Sequence, residues 1–217
     1  GTWIVVTVNA PYYMRSFDNG VTWEQLSYPN GTTYNATNIA YANGRWVLAS
    51  TQFGIAYSDN DGTSWTTSSI SQDNDCQDVC TDGNGNWCVV NSSSADRVWF
   101  SRDNAASFQS AGQFGDKFYG CAYGNGTWVV VGENQIYFSG KGYDDWQKGV
   151  FDNDTFTDVA FGNNLFVCVT SGGTPKVQIR YSYDGVKWWK STRNTSSQDM
   201  QTVDYCGGYW LFGTYTK

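Results

Sequence analysis

Two sets of polar side chains recur at matched intervals along the chain. Asn35, Asp75, Asp116, Thr155 and Asp199 form one set; Asn38, Asp78, Tyr119, Asp158 and Thr202, three residues further on, form the other. Two carboxylates ~5–10 Å apart with separated pKa values can cleave a glycosidic bond, and Asp78 and Asp158 are the pair with that potential. Clustered carboxylate oxygens can also take Ca²⁺, although no D-x-D-x-D-G loop is present. The plainer reading is a solvated acidic rim, with no catalytic residue and no cofactor. The chain has no histidine, which removes Ser-His-Asp and Cys-His catalysis and every His-ligated metal site.

The elements that would position these residues follow from composition. Aromatics make up 18% of 217 residues, glycine occurs 24 times and leucine only four times. Such a chain is poor in helix formers and rich in strand and turn formers, so an all-β fold is expected. A net charge of −7 and a pI near 4.4 argue against a nucleic-acid surface. No apolar stretch approaches the ~18 residues of a membrane span. The chain opens at Gly1 without Met, which reads as a processed product or a window from something longer.

A Gly/Asn turn, an aromatic and an apolar run recur together, with the aromatic at Trp3, Trp46, Trp87, Trp128, Phe166 and Trp210. The mean step is about 41 residues. A second series, Trp23, Trp65, Phe108, Trp146 and Trp188, runs in phase with it. Each unit reads as four short strands joined by hairpin turns, the second strand apolar on both faces as a mid-sheet strand must be when sheets stack around it. Radially repeated units of this size are β-propeller blades. The chain is therefore expected to be a single propeller over residues 1–217, with four-stranded antiparallel repeats starting near 1, 38, 78, 119 and 158 and a partial sixth from 202. Five blades are favoured, with six, one incomplete, as the alternative.

The turn between third and fourth strands carries a motif. Ser16, Asp18, Gly20, Thr22 and Trp23 fit S-x-D-x-G-x-T-W; Ser58, Asn60, Gly62 and Trp65 fit it with Asn for Asp. Ser101 and Asp103 keep its first half, Ser182, Asp184 and Trp188 a version one residue shorter, and Ser139 to Trp146 a degenerate one. The chain thus resembles the Asp-box (BNR-type) propellers, a group that includes sialidases, other glycoside hydrolases and sortilin-like receptors. The resemblance covers nearly the whole chain and implies a structural role for the Asp-box. Sialidase-like members also use an arginine cluster and a Tyr nucleophile. Here Arg15, Arg45, Arg97, Arg102, Arg180 and Arg193 fall at scattered repeat positions.

The chain holds six second strands against five first strands, so one terminal strand, WIVVTV or WLFGTYT, is surplus. An exposed spare strand invites pairing with a neighbouring subunit. Aromatics outside the periodic series, Trp99 and Trp189, with Tyr12, Tyr13, Tyr34 and Tyr143 in turn-rich segments, suit stacking on sugar rings, and Tyr119, Asp75, Asp116 and Asp199 at the channel mouth are candidate ligand-binding residues whose polar groups would pair with sugar hydroxyls. Cys76, Cys80, Cys88, Cys121, Cys168 and Cys206 contain no CxxC pair; at least one disulfide is expected, with buried free thiols as the alternative. Cys80 and Cys121 read as equivalent first-strand positions. N-x-S/T occurs at Asn30, Asn35, Asn91, Asn125, Asn153 and Asn194. Together these lead to an extracellular, non-enzymatic module that binds glycans or partner proteins. The alternatives are a structural subunit of a filament, coat or virion appendage, assembled by strand exchange, and a glycoside hydrolase using Asp78 and Asp158.

Overall fold

The computed structural model describes residues 1–8, 11–28, 35–68, 75–93, 97–149, 154–171, 179–192 and 199–214. Among them there are strands and turns only. The first sheet has three strands, β1 (Trp3–Val5), β2 (Tyr12–Ser16) and β3 (Glu24–Ser27). Four complete four-stranded meanders come next. The second sheet is β4 (Ala36–Ala42), β5 (Arg45–Ser50), β6 (Gly54–Ser58) and β7 (Thr66–Thr67); the third is β8 (Cys76–Thr81), β9 (Trp87–Asn91), β10 (Arg97–Ser101) and β11 (Gln109–Gln113). The fourth is β12 (Phe118–Gly124), β13 (Thr127–Gly132), β14 (Gln135–Ser139) and β15 (Gln147–Lys148); the fifth is β16 (Thr155–Gly162), β17 (Leu165–Ser171), β18 (Ile179–Ser182) and β19 (Trp189–Lys190). The sixth pairs β20 (Met200–Cys206) with β21 (Tyr209–Thr214). This is an all-β propeller of antiparallel blades.

In the second, fourth, fifth and sixth sheets the first two strands are joined by two-residue hairpins in which both turn residues take positive φ: Asn43-Gly44, Asn125-Gly126, Asn163-Asn164 and Gly207-Gly208. Such turns match the right-handed twist of the flanking strands. The second strands β5, β9, β13 and β17 are buried almost throughout, and each blade packs its apolar faces on the next. Aromatic pairs staple first strand to second across the hairpin, with ring centroids 4.7 Å apart for Tyr41–Trp46, 4.6 Å for Tyr123–Trp128 and for Phe161–Phe166, and 5.0 Å for Tyr205–Trp210. Each such pair adds roughly 0.5–1.5 kcal/mol beyond its burial.

The described strands number twenty-one, in four four-stranded sheets, one three-stranded and one two-stranded. By register β20 is a first strand, the kind the first sheet lacks, yet it pairs with β21. Its inner face packs on the fifth sheet through Val203, while Tyr209, Leu211 and Phe212 of β21 and Trp3 and Val5 of β1 stay exposed.

Candidate functional site

The first strands of five sheets converge on a central cavity of about 400 Å³. Each carries a β-bulge at the same place, after Ala36, Cys76, Phe118, Phe156 and Met200. A bulge re-aims the next side chain, and the residues so aimed are Asn38, Asp78, Gly120, Asp158 and Thr202. The third member is thus Gly120, not Tyr119. Tyr119 is the bulge residue itself and lines a separate recess of about 390 Å³ with Gln77, Thr157 and Gln201. The same one-residue slip moves Asp116 out of the earlier ring: Lys117, whose carbonyl accepts the Glu133 N–H at 2.9 Å, matches Asn35 and Asp75, whose carbonyls accept those of Thr51 and Ser92. Asp116 instead accepts the Tyr137 hydroxyl at 3.1 Å, and burial together with that carboxylate pushes the phenol up to about 12. Asp199 is half-buried beside β20.

The ring carboxylates are tied to backbone. Asp78 accepts the N–H of Val79 at 2.8 Å and that of Cys121, in the next blade, at 2.7 Å; Asn38 donates to it as well. Asp158 repeats this with Val159 at 2.7 Å and Val203 of the next blade at 2.8 Å, and takes the Thr202 hydroxyl at 2.7 Å. Gly120 is glycine because a Cβ there would lie 2.9 Å from the Asp158 Cα. Burial and the charge of Asp158 push Asp78 up to about 8 against its three donors; burial also raises Asp158. Backbone N–H donors thus take up much of the hydrogen-bonding capacity of both carboxylates.

The turns between third and fourth strands share one hydrogen-bond plan. Ser16 Oγ accepts the Gly20 N–H at 2.9 Å, and Asp18 accepts the Thr22 N–H at 2.8 Å and its hydroxyl at 2.6 Å, while the Trp23 indole donates to the Gly20 carbonyl at 2.9 Å. Ser58–Asn60–Gly62–Ser64 repeats it, as do Ser101–Asp103–Ser107, with Ala105 in the left-handed position, and Ser182–Asp184–Trp188. In the degenerate turn Asp145 takes over the carboxylate role toward Ser139.

Exposed aromatics gather at these turns. Tyr183, 62% exposed, and Trp189, 42% exposed, pack with Tyr181, whose ring stacks on Trp189 at 5.9 Å and 24°. Tyr143 lies under the Arg102 guanidinium at 4.6 Å beside a recess of about 290 Å³ that reaches Asp103 and Gln109. Phe17 and Trp23 border a third recess of about 380 Å³. Trp99, expected on the surface, is buried between the second and third sheets, because a third strand is covered by its neighbouring blade. Tyr13 is buried too and donates its hydroxyl to the Gly62 carbonyl; Tyr12 is half-buried. Tyr34 lies outside the described residues.

Arg15, Arg45 and Arg180 are each held by a separate carboxylate. Arg15 holds Glu24 at 2.7 Å, Arg45 chelates Asp59 at 2.6 and 2.8 Å, and Arg180 pairs with Asp154, so no anion-binding cluster forms among their described side chains. The structure has all six cysteines as free thiols, the alternative that the sequence left open beside a disulfide. Cys76 and Cys168 are buried in separate clusters and Cys206 is exposed. Cys80, Cys88 and Cys121 converge; burial opposes ionisation of Cys88, but hydrogen bonds from Cys121 and Cys80 bring it down to about 6. Of the sequons, Asn125 is exposed, Asn35 is half-buried, and Asn91 is fully buried in β9 and cannot accept a glycan in the folded protein; Asn30, Asn153 and Asn194 lie outside the described residues.

No protein-family model matches the chain, and no curated protein matches it. Solved structures do. A virginiamycin B lyase variant from Staphylococcus aureus, catalytically inactive and solved with quinupristin, aligns at 12% identity and TM-score 0.79 over 98% of this chain and 73% of that one. YCF48 bound to D1 peptide aligns at 13% identity and TM-score 0.67, over 95% of this chain and 70% of that one. A GH74 xyloglucanase from Xanthomonas campestris gives 17% and 0.73, over 99% of this chain and 41% of that one. The chain folds as a β-propeller. At these identities the likeness concerns the fold alone, and propellers host unrelated functions.

Proposed function

We propose that this chain is a non-enzymatic propeller module of the Asp-box type that binds glycans at shallow aromatic recesses beside its turns, in an extracellular setting. The observation that carries the reading is the placement of Tyr183–Trp189, Tyr143–Arg102 and Phe17–Trp23, exposed aromatics beside polar turn residues at three blades. An aromatic face stacks on the apolar face of a sugar, polar neighbours pair with its hydroxyls, and repeated weak sites gain through multivalency. The shared turn plan supports the Asp-box assignment, and the exposed Asn125 sequon supports the extracellular one; the free thiols do not. The engagement of Asp78 and Asp158 with backbone N–H groups supports an architectural role over a hydrolytic one. A glycan array tests this: the wild-type chain is expected to retain a defined glycan class that Trp189→Ala retains weakly. An empty array would refute the reading.

A second reading has its own observation. The exposed Trp3 and Val5 of β1 and Tyr209, Leu211 and Phe212 of β21 leave both terminal sheets with apolar side chains in water. Two copies joining these ends would make a head-to-tail, filament-type contact. Concentration-dependent sedimentation, abolished by Leu211→Asp with Phe212→Asp, is the expected result.

A further inference from the structure

Cys80, Cys88 and Cys121 meet at the interface between the third and fourth sheets, their three Sγ atoms all within 4.8 Å of one another. Their places in the blade plan set them apart from ordinary buried cysteines. By register the same three positions at the second–third interface are Ala40, Val47 and Val79. At the fourth–fifth interface they are Ala122, Val129 and Val159, and at the fifth–sixth Ala160, Val167 and Val203. Three interfaces thus solve this packing problem with one alanine and two valines. This one replaces all three at once with thiols. A lone buried cysteine is an ordinary small hydrophobe, but a complete aliphatic triad exchanged for a complete thiol triad is a donor set.

We propose that Cys80, Cys88 and Cys121 form a three-thiolate site for a soft monovalent cation, Cu(I), in three-coordinate geometry. A metal–sulfur bond of ~2.3 Å in a trigonal plane places sulfurs ~4 Å apart, so the thiols need close in by less than about 1 Å. Thiolates select soft ions such as Cu(I). A closed structural zinc site takes four ligands, and among the described residues these thiols find no fourth: the chain has no histidine, and the Asp78 carboxylate beside them is engaged by Val79, Cys121 and Asn38. Entry is open. Cys80 is half-buried, and Cys80 and Cys121 both line the central cavity, while Cys88 is fully buried. As the three Cu–S bonds form, the three S–H bonds break and their protons pass to water through that cavity.

The test uses the whole chain, reduced and kept anaerobic, with Cu(I) alone as the metal and a chromophoric Cu(I) chelator as competitor. The wild type is expected to withdraw one equivalent of Cu(I) from the chelator, with X-ray absorption showing sulfur ligands only, three of them. The variant Cys80→Ala/Cys88→Val/Cys121→Val restores the aliphatic triad of the other interfaces, so it is expected to fold with an unchanged circular dichroism spectrum and to withdraw none. Cys168→Ala and Cys206→Ser are expected to bind like the wild type. The proposal is overturned if the reduced wild type takes no copper, if the aliphatic triple variant competes equally well, or if peptide mapping of the native protein shows two of the three sulfurs joined as a disulfide.

Discussion

The Asp78 carboxylate, in the third sheet, accepts the backbone N–H of Cys121, in the fourth, at 2.7 Å. The same device joins the fifth sheet to the sixth through Asp158 and Val203. These carboxylates act as cross-blade clips. Truncation strands two buried N–H groups, at about 1–3 kcal/mol each. Asp78→Ala is therefore expected to lower unfolding stability by about 2–6 kcal/mol, and Asp158→Ala by less because its site is wetter. Denaturant titration checks both. A hydrolytic role would instead show as lost turnover with stability unchanged.

Blade spacing is set by glycine under aromatic. A Cβ on Gly124 would fall 2.2 Å from the Phe161 ring, which Phe166 holds from the other side. Gly124→Ala is expected to cost about 1–3 kcal/mol through overpacking. Gly44→Ala, at φ +76° with nothing within 4 Å, is expected to cost only about 1 kcal/mol of backbone strain. Melting curves of the two variants separate packing from conformation.

Arg180 and Asp154 form an ion pair whose side chains are 6% and 10% exposed. Arg180→Leu leaves the carboxylate buried alone, and a loss of about 3–5 kcal/mol is expected. Adding Asp154→Leu is expected to recover most of it. A double-mutant cycle measured by chemical denaturation tests this.

Thr22, through its hydroxyl and its N–H, and then Ser16 hold Asp18 down to about 2. Asp103 and Asp184 are lowered as well: slight burial opposes ionisation but the turn donors prevail. A carboxylate depressed on folding adds stability above its unfolded value, and that stability is lost as pH falls through the folded one. The acid limb attributable to these turns should thus lie between roughly pH 4 and pH 2. Asn60 keeps the same turn, so Asp18→Asn/Asp103→Asn/Asp184→Asn is expected to fold, to be less stable at pH 7, and to lose less stability between pH 4 and pH 2.

The blade period is legible because Trp46, Trp87, Trp128 and Phe166 sit at one structural position, and a propeller repeats its packing as well as its strands. Residue-level register is harder. In the fourth sheet fixed spacing selects Tyr119 and Asp116, one residue short of Gly120 and Lys117. The β8–β9 connection pairs Cys80 with Cys88, one residue further on than Ala40 with Val47 or Ala122 with Val129, and the extra length displaces β12 from the fixed repeat. One residue of slip turns a strand side chain to the opposite face. That slip also aligns Cys80 with Cys121, which would point them the same way; on opposite faces of adjacent blades they meet, so fixed spacing hides the thiol triad. Trp189 is legible as an aromatic outside the periodic series. Tyr183 and Phe17 are not, because they occupy variable positions inside a structural motif.

The most direct test of the binding account is calorimetric titration of the strongest array glycan into wild-type protein and Trp189→Ala, with melting temperatures measured alongside. The account expects saturable wild-type binding, an affinity at least about tenfold weaker in Trp189→Ala, and unchanged melting, since loss of one stacked ring at a surface site is worth roughly 1–2 kcal/mol. Equal affinity in the two proteins would contradict it and remove the Tyr183–Trp189 surface as the binding site.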